Sequence, residues 1–227
     1  MKLLAIEAAT EACSAAVMVD GEIAERYQVA PRQHNELILP MCEEVLAEME
    51  LSLPQLDAIA FGCGPGAFTG VRIAAGITQG IALAHDLPVA SISTLANLAY
   101  QAPVSEQQYI LTSIDARMDE IYWAIYQKMA QGVECVGIEQ VQSAMAIEQL
   151  EHSISYGCGT GWGCDLVALQ TLTHLDDSHI DALALPRARV TAQLGEKKYQ
   201  LQQLHAPENA LPVYLRDQVA KKKAVRS

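Results

Sequence analysis

Four acidic side chains stand where a chain of this kind could hold a metal or move a proton. Glu7 ends a short apolar run, and Asp115, Asp119 and Glu120 cluster around a second one. Carboxylates at strand ends are hard oxygen ligands suited to a divalent cation. Carboxylates beside a turn are more often solvated or ion-paired, and Arg117 lies among these, so the paired reading is the better one. The other chemical candidate is Gly62-Cys63-Gly64-Pro65-Gly66-Ala67-Phe68-Thr69-Gly70-Val71-Arg72. It joins an apolar run to a helical one, and its glycines permit positive φ and close backbone approach, so an anion could meet the helix start. It lacks the Lys-Ser/Thr ending of a phosphate-binding loop, which makes a tight turn the better account. The weak candidates for binding a nucleotide are therefore Glu7, Gly64, Gly66, Thr69 and Asp115.

Other chemistries find less support. The histidines His34, His85, His152, His174, His179 and His205 show no ligand spacing with cysteine or acid. Ser14, Ser91 and Ser113 lack a nucleophile-elbow pattern, so no hydrolase triad can be argued. Tyr156-Gly157-Cys158-Gly159-Thr160-Gly161-Trp162-Gly163 reads as a strand running into a structural turn. Its glycine spacing fails the dinucleotide fingerprint, and Trp162 is a packing anchor. No catalytic residue and no metal site are assigned.

The elements that must position these residues follow from periodicity. Residues 2–7, 13–19 and 22–29 are short apolar or alternating runs, and Asp20-Gly21 makes the last two a hairpin. From His34 to Glu50 the apolar positions recur at helical spacing. A strand at 57–62, a helix from about Gly70 to His85 and a strand at 88–92 complete a βββαβαβ order. The pattern βββα then repeats: strands at 109–115, 120–127 and 133–139, and a helix near 143–150. After Trp162 only a helix near 188–201 is clear. The break at Ala102-Pro103-Val104-Ser105 predicts two domains, 1–102 and a shorter 103–227. A duplicated βββαβα unit is the plan of the actin-like ATPase, sugar kinase and heat-shock superfamily, here an α/β fold with a truncated second half. In that superfamily aspartate usually stands where this chain has Glu7, whose longer side chain would push a metal outward or fill the space itself.

With 51% hydrophobic and 19% charged residues, the 227-residue chain can bury a real core. Its formal charge of −12 repels a phosphate backbone over most of the surface, so autonomous RNA binding is disfavoured. The basic tail from Lys221 to Arg226 could still touch phosphate locally. Six cysteines without a C-x-x-C pair predict a reducing compartment, the cytoplasm. Glu7 and Glu11 interrupt the opening apolar stretch before it could act as a signal peptide, and no run is long enough to span a bilayer.

Two helices carry more apolar surface than a core stripe needs. The first has adjacent seams, Ile38, Met41, Val45, Met49 and Leu39, Cys42, Leu46. The second, from Val71 to Ala84, is built of small residues including Gly76 and Gly80, with Ile73, Ile77 and Ile81 at four-residue spacing. Close approach of another helix, from this chain or a partner, accounts for that composition.

The strings 62–72, Ile6-Glu7-Ala8-Ala9-Thr10, Asp115-Ala116-Arg117-Met118-Asp119-Glu120-Ile121-Tyr122 and Pro212-Val213-Tyr214-Leu215-Arg216 together resemble the TsaB (YeaZ) family across essentially the whole chain. That family is a non-catalytic paralogue of TsaD, the subunit that transfers the threonylcarbamoyl group to tRNA. TsaD-like subunits carry a His-x-x-x-His metal pair where this chain has Ser91-Ile92-Ser93-Thr94-Leu95-Ala96-Asn97-Leu98, so the resemblance implies lost catalysis. It further implies pairing with TsaD, or with a second copy when TsaD is absent, through Ile38, Met41, Cys42, Val45, Ile73, Gly76, Ile77, Gly80 and Ile81. It implies too that TsaE joins the assembly, that TsaC makes the adenylate that TsaD consumes and that tRNA is met only through the complex; no cofactor is firmly implied, and ATP or ADP could bind only at the interface with partners. The rival readings are a self-sufficient ATP-dependent enzyme using Glu7 and Asp115, and a peptidase.

Overall fold

The computed structural model describes residues 1–216; the basic tail lies outside the described residues. Two five-stranded mixed sheets are each backed by helices, an α/β architecture. The first sheet holds β1 (Lys2–Glu7), β2 (Ala12–Val19), β3 (Glu22–Val29), β4 (Ala58–Gly64) and β5 (Val89–Ser93), in the order β3-β2-β1-β4-β5. The second holds β6 (Tyr109–Arg117), β7 (Glu120–Met129), β8 (Gly132–Gln142), β9 (Ile154–Cys158) and the two-residue β10 (Ile180–Asp181), in the order β8-β7-β6-β9-β10. In both, the first three strands pair antiparallel and the remaining two join parallel, so one strand plan occurs twice.

Helix α1 (His34–Glu48) and helix α2 (Phe68–Ala84) cover one face of the first sheet. Ile38, Met41, Cys42, Val45 and Leu46 recur every three or four residues and point to that sheet, where Ile38 and Val45 are wholly buried among Leu4, Ile6, Val17 and Phe61. Helix α3 (Thr94–Gln101) is capped by Ser93, whose hydroxyl accepts from the Leu95 and Ala96 amides at 3.1 and 3.2 Å, and it packs on the second sheet. Helix α4 (Leu166–Thr173), capped by Asp165, covers the other face of that sheet.

Helix α5 (Ala188–Gln200) departs from the expected organisation. It returns to the first sheet and buries Ala188, Val190, Ala192 and Leu194 against Leu3, Ala5, Ala60 and Ile92. Gly195 makes this approach close, since a Cβ there would stand 2.6 Å from that of Ala60. The boundary at 102–103 thus separates the sheets but not the halves, because residues 188–200 belong to the first core. The segment after α5 then shields the edge strand β5. His205 forms an antiparallel bridge with Val89, its Nε2 lies 2.6 Å from the Ser91 hydroxyl, and Lys198 donates to the Ser91 carbonyl at 2.7 Å.

One further expectation needs correction. The helix near 143–150 is one 3-10 turn, Ala144–Ala146, with Ala144 and Ile147 both buried; an apolar pair three apart suits a three-residue turn rather than a continuing α-helix. The second half has five strands but is the shorter one: this turn stands where the first half has the 15-residue α1, and β10 spans two residues where β5 spans five. Among the described residues no helix is long and apolar enough to cross a membrane.

Candidate functional site: a cleft between the halves and an uncharged helix face

A cleft of about 610 Å³ lies between the halves. One wall is the β1–β2 turn, Ala9 to Glu11, with Gly66, Ala67, Phe68 and Arg72 beside it. The opposite wall is Ile114 to Arg117 with Tyr122 and Thr160, and Val213, Tyr214 and Arg216 cross the mouth.

The glycines that suggested an anion loop serve backbone approach. A Cβ on Gly66 would stand 2.2 Å from the Ala9 carbonyl oxygen, and one on Gly70 would stand 1.9 Å from that of Ala8. The Ala67 amide donates to the Ala9 carbonyl at 2.7 Å, so the loop is pinned on the β1–β2 turn. Gly64 has φ +105°, and a Cβ built on it would stand 3.0 Å from the Val213 carbonyl oxygen. Thr69 is exposed and does not line the cleft.

Glu7 does not face the cleft either. It is wholly buried, and its carboxylate lies over Gly62, where a Cβ would meet Oε2 at 2.1 Å. Of the two outcomes expected for the longer side chain, it fills the space itself. It accepts from the Ala9 amide at 3.0 Å and from the Thr191 hydroxyl at 3.3 Å. Burial away from water pushes its carboxyl up to about 7, more than these hydrogen bonds pull it down. Thr191 belongs to a polar plug at the start of α5. Asn97 donates to the Thr191 hydroxyl and to the Arg187 carbonyl at 2.9 Å each, and Ser14 accepts from the Ala188 amide at 2.9 Å.

Asp115 reaches the cleft wall but is committed locally. Arg117, Met118 and Asp119 all have φ near +60° (62, 61 and 60°), a strained run for residues with side chains. Asp115 braces it by accepting from the Arg117 amide at 2.7 Å and guanidinium at 2.8 Å. Arg117 also lies 3.5 Å from Glu11 across the cleft, and Arg216 pairs with Glu120. Glu7 and Asp115 therefore do not converge, and among the described residues no group of three or more His, Cys, Asp or Glu side chains is placed to hold a metal. Sequence reasoning missed the aromatic and arginine lining of the cleft, Phe68, Arg72, Tyr122 and Tyr214, because its members come from elements far apart in the chain.

The helix faces separate clearly. Of the nine positions assigned to partner binding, Ile38, Met41, Cys42 and Val45 are buried in the chain's own core, and Leu39 is the large apolar residue that α1 exposes. On α2, Gly76 and Gly80 are exposed, and among the described residues nothing lies within 4 Å of a Cβ built on either. Ile73, Ile77 and Ile81 flank them half-buried, and Leu83 is 59% exposed. From Ile73 to Ala84 the helix carries no charged residue.

A family model described as "TsaD: tRNA N6-adenosine threonylcarbamoyltransferase" matches residues 23–224. The TsaB protein of Haemophilus influenzae is 37% identical, over 98% of this chain and 97% of its own length. That of Escherichia coli is 38% identical, over 98% of both. Both are described as tRNA threonylcarbamoyladenosine biosynthesis proteins. The solved structure of YeaZ from Pseudomonas aeruginosa superposes with a TM-score of 0.85 at 38% identity, covering 94% of this chain and 99% of that one. With the twofold strand plan and the closed Glu7 pocket, full-length similarity at this level means that the chain belongs to the TsaB (YeaZ) family.

Proposed function

We propose that the chain is a non-catalytic docking subunit of tRNA threonylcarbamoyladenosine biosynthesis. It binds TsaD and supports threonylcarbamoyl transfer to the adenosine adjacent to the anticodon in tRNAs that read codons beginning with A. TsaE joins the complex, tRNA is met only through it, and the compartment is the cytoplasm. ATP or ADP, where present, sits at an interface with partners. Descent of both halves from one actin-like βββαβα unit is supported by their common strand order.

The observation that carries the docking reading is the outer face of α2. An uncharged stripe of exposed Gly76, Gly80 and Leu83 with half-buried Ile73 and Ile77 is costly in water and lets a second helix approach at the short end of packing distances. Ile81 flanks the stripe. The positions Ile38, Met41, Cys42 and Val45 support this face from beneath rather than touching a partner. When TsaD is absent, two copies can cover the same stripe around a twofold axis. The enclosed Glu7 and the ion-paired Asp115 support a chain without chemistry of its own. Docking alters TsaD only through a difference in affinity for its productive and unproductive forms.

The test mixes the purified chain with TsaD from the same organism and follows mass by size-exclusion with light scattering. A mixed species that forms with wild type and is lost in a folded Ile77→Glu variant is expected. No mixed species at any concentration would refute the docking reading.

A further inference from the structure

We propose that the cleft between the halves receives an extended acidic segment of the protein docked on α2, with a carboxylate seated on Arg72 and an adjacent apolar side chain in the cleft. This rests on the docking reading and specifies which part of this chain that partner reaches beyond the helix stripe.

The three arginines of the cleft are not equivalent. Arg117 is matched by Asp115 and Glu11, and Arg216 by Glu120. Arg72 has no carboxylate partner among the described residues. Its Nε donates to the Tyr214 hydroxyl at 2.7 Å, and its guanidinium lies 3.5 Å from the centre of the Phe68 ring and 5.5 Å from that of Tyr214. The two rings and that one bond fix the plane of the guanidinium. Neither terminal nitrogen has an acceptor among the described residues, which leaves the pair of donors that a carboxylate meets in bidentate fashion.

The cleft also has an apolar part, Ala9, Ala67, Ile114, Ala116 and Val213, while the carboxylates that line it, Glu11 and Asp115, are taken up by Arg117. Arginine and aromatic side chains around an apolar recess are the composition of interface hot spots. The cleft already accommodates one extended segment of the chain itself, since the Val213 amide donates to the Cys63 carbonyl at 2.8 Å and Tyr214 lies against Phe68. Arg72 also stands one helical turn from Gly76 on the same helix, so a partner on the α2 stripe is within reach of the cleft mouth. An unmatched fixed cation, in a chain of net charge −12, selects an acidic segment.

The experiment is calorimetric titration of the full chain with TsaD from the same organism, at low and high salt. The variants are Arg72→Ala, Ala67→Trp, which fills the cleft from an exposed position, and Gly80→Glu on the stripe. Thermal melts establish that each is folded. Arg72→Ala is expected to weaken binding about tenfold or more and to flatten its salt dependence, as loss of a charge-assisted hydrogen bond requires. Ala67→Trp weakens binding similarly, and Gly80→Glu abolishes it. Wild-type affinity in both cleft variants, with Gly80→Glu still defective, would overturn the cleft proposal and leave the docking reading standing. Wild-type affinity in Gly80→Glu would overturn both.

Discussion

Glu7→Gln tests the architecture at its least compensated point. The Glu7 carboxyl is wholly buried, touches no cation among the described residues, and is pushed from 4.5 to about 7. Folding therefore favours its protonated form. Stability from this group is complete below pH 4.5, falls as pH rises from there to about 7, and is flat above. At about 1.4 kcal/mol per pH unit, that interval of roughly 2.5 units amounts to about 3 kcal/mol lost by pH 8. Glutamine copies the protonated acid: its carbonyl keeps the Ala9 amide, and its amide donates to the Thr191 hydroxyl. Urea unfolding of wild type and Glu7→Gln across this range isolates the effect, because every other titration is common to both. The two proteins are expected to have similar stabilities near pH 4.5, with the variant ahead by about 3 kcal/mol at pH 8. Parallel pH profiles would refute the reasoning and mean that water or a cation reaches the carboxylate.

The glycines divide by what surrounds them. Gly62→Ala, whose Cβ would stand 2.1 Å from Glu7 Oε2, should lower stability by about 1–3 kcal/mol, read from the urea midpoint. Gly80→Ala, with open space around it, should raise stability by up to about 1 kcal/mol through helix propensity while weakening assembly with TsaD, which melting and light scattering report separately. Trp162→Ala should cost about 3–5 kcal/mol, because the ring is wholly buried and its Nε1 donates to the Leu111 carbonyl at 3.1 Å. In native protein near neutral pH, an alkylating reagent followed by mass spectrometry should leave Cys42 and Cys63 unmodified, since both are buried with thiols pushed up to about 12.

Local patterns in the chain carried much of the first half. A short apolar run and the Asp20-Gly21 turn after it mark β2 and β3, and three-four spacing marks α1. The short helices were harder: α3 and α4 span eight residues each, about two turns, too few for helical periodicity to declare itself. The burial of Ile38 and Val45 was not legible either. The width of an apolar stripe does not say how much of it one sheet covers, and in α1 the sheet's core takes in Ile38, Met41, Cys42, Val45 and Leu46 and leaves Leu39 exposed. The positions of Gly76 and Gly80 on one helix face could be read, whereas the absence of a neighbour over them is a tertiary fact. The cleft was the least legible feature, since Phe68, Tyr122 and Tyr214 acquire a common meaning only once both sheets are in place.

The return of α5 to the first sheet bears on how the chain folds during synthesis. When α3 leaves the ribosome, β1, β4 and β5 have one face covered by α1 and α2, while Leu3, Ala5, Ala60 and Ile92 await the helix that begins at Ala188. The intervening 85 or so residues take roughly 4–17 s to translate at ~5–20 residues per second. Throughout that interval the nascent first half presents an apolar sheet face to chaperones and to neighbouring nascent chains. Its release as a finished core coincides with completion of the second sheet, so the two halves mature together rather than in sequence.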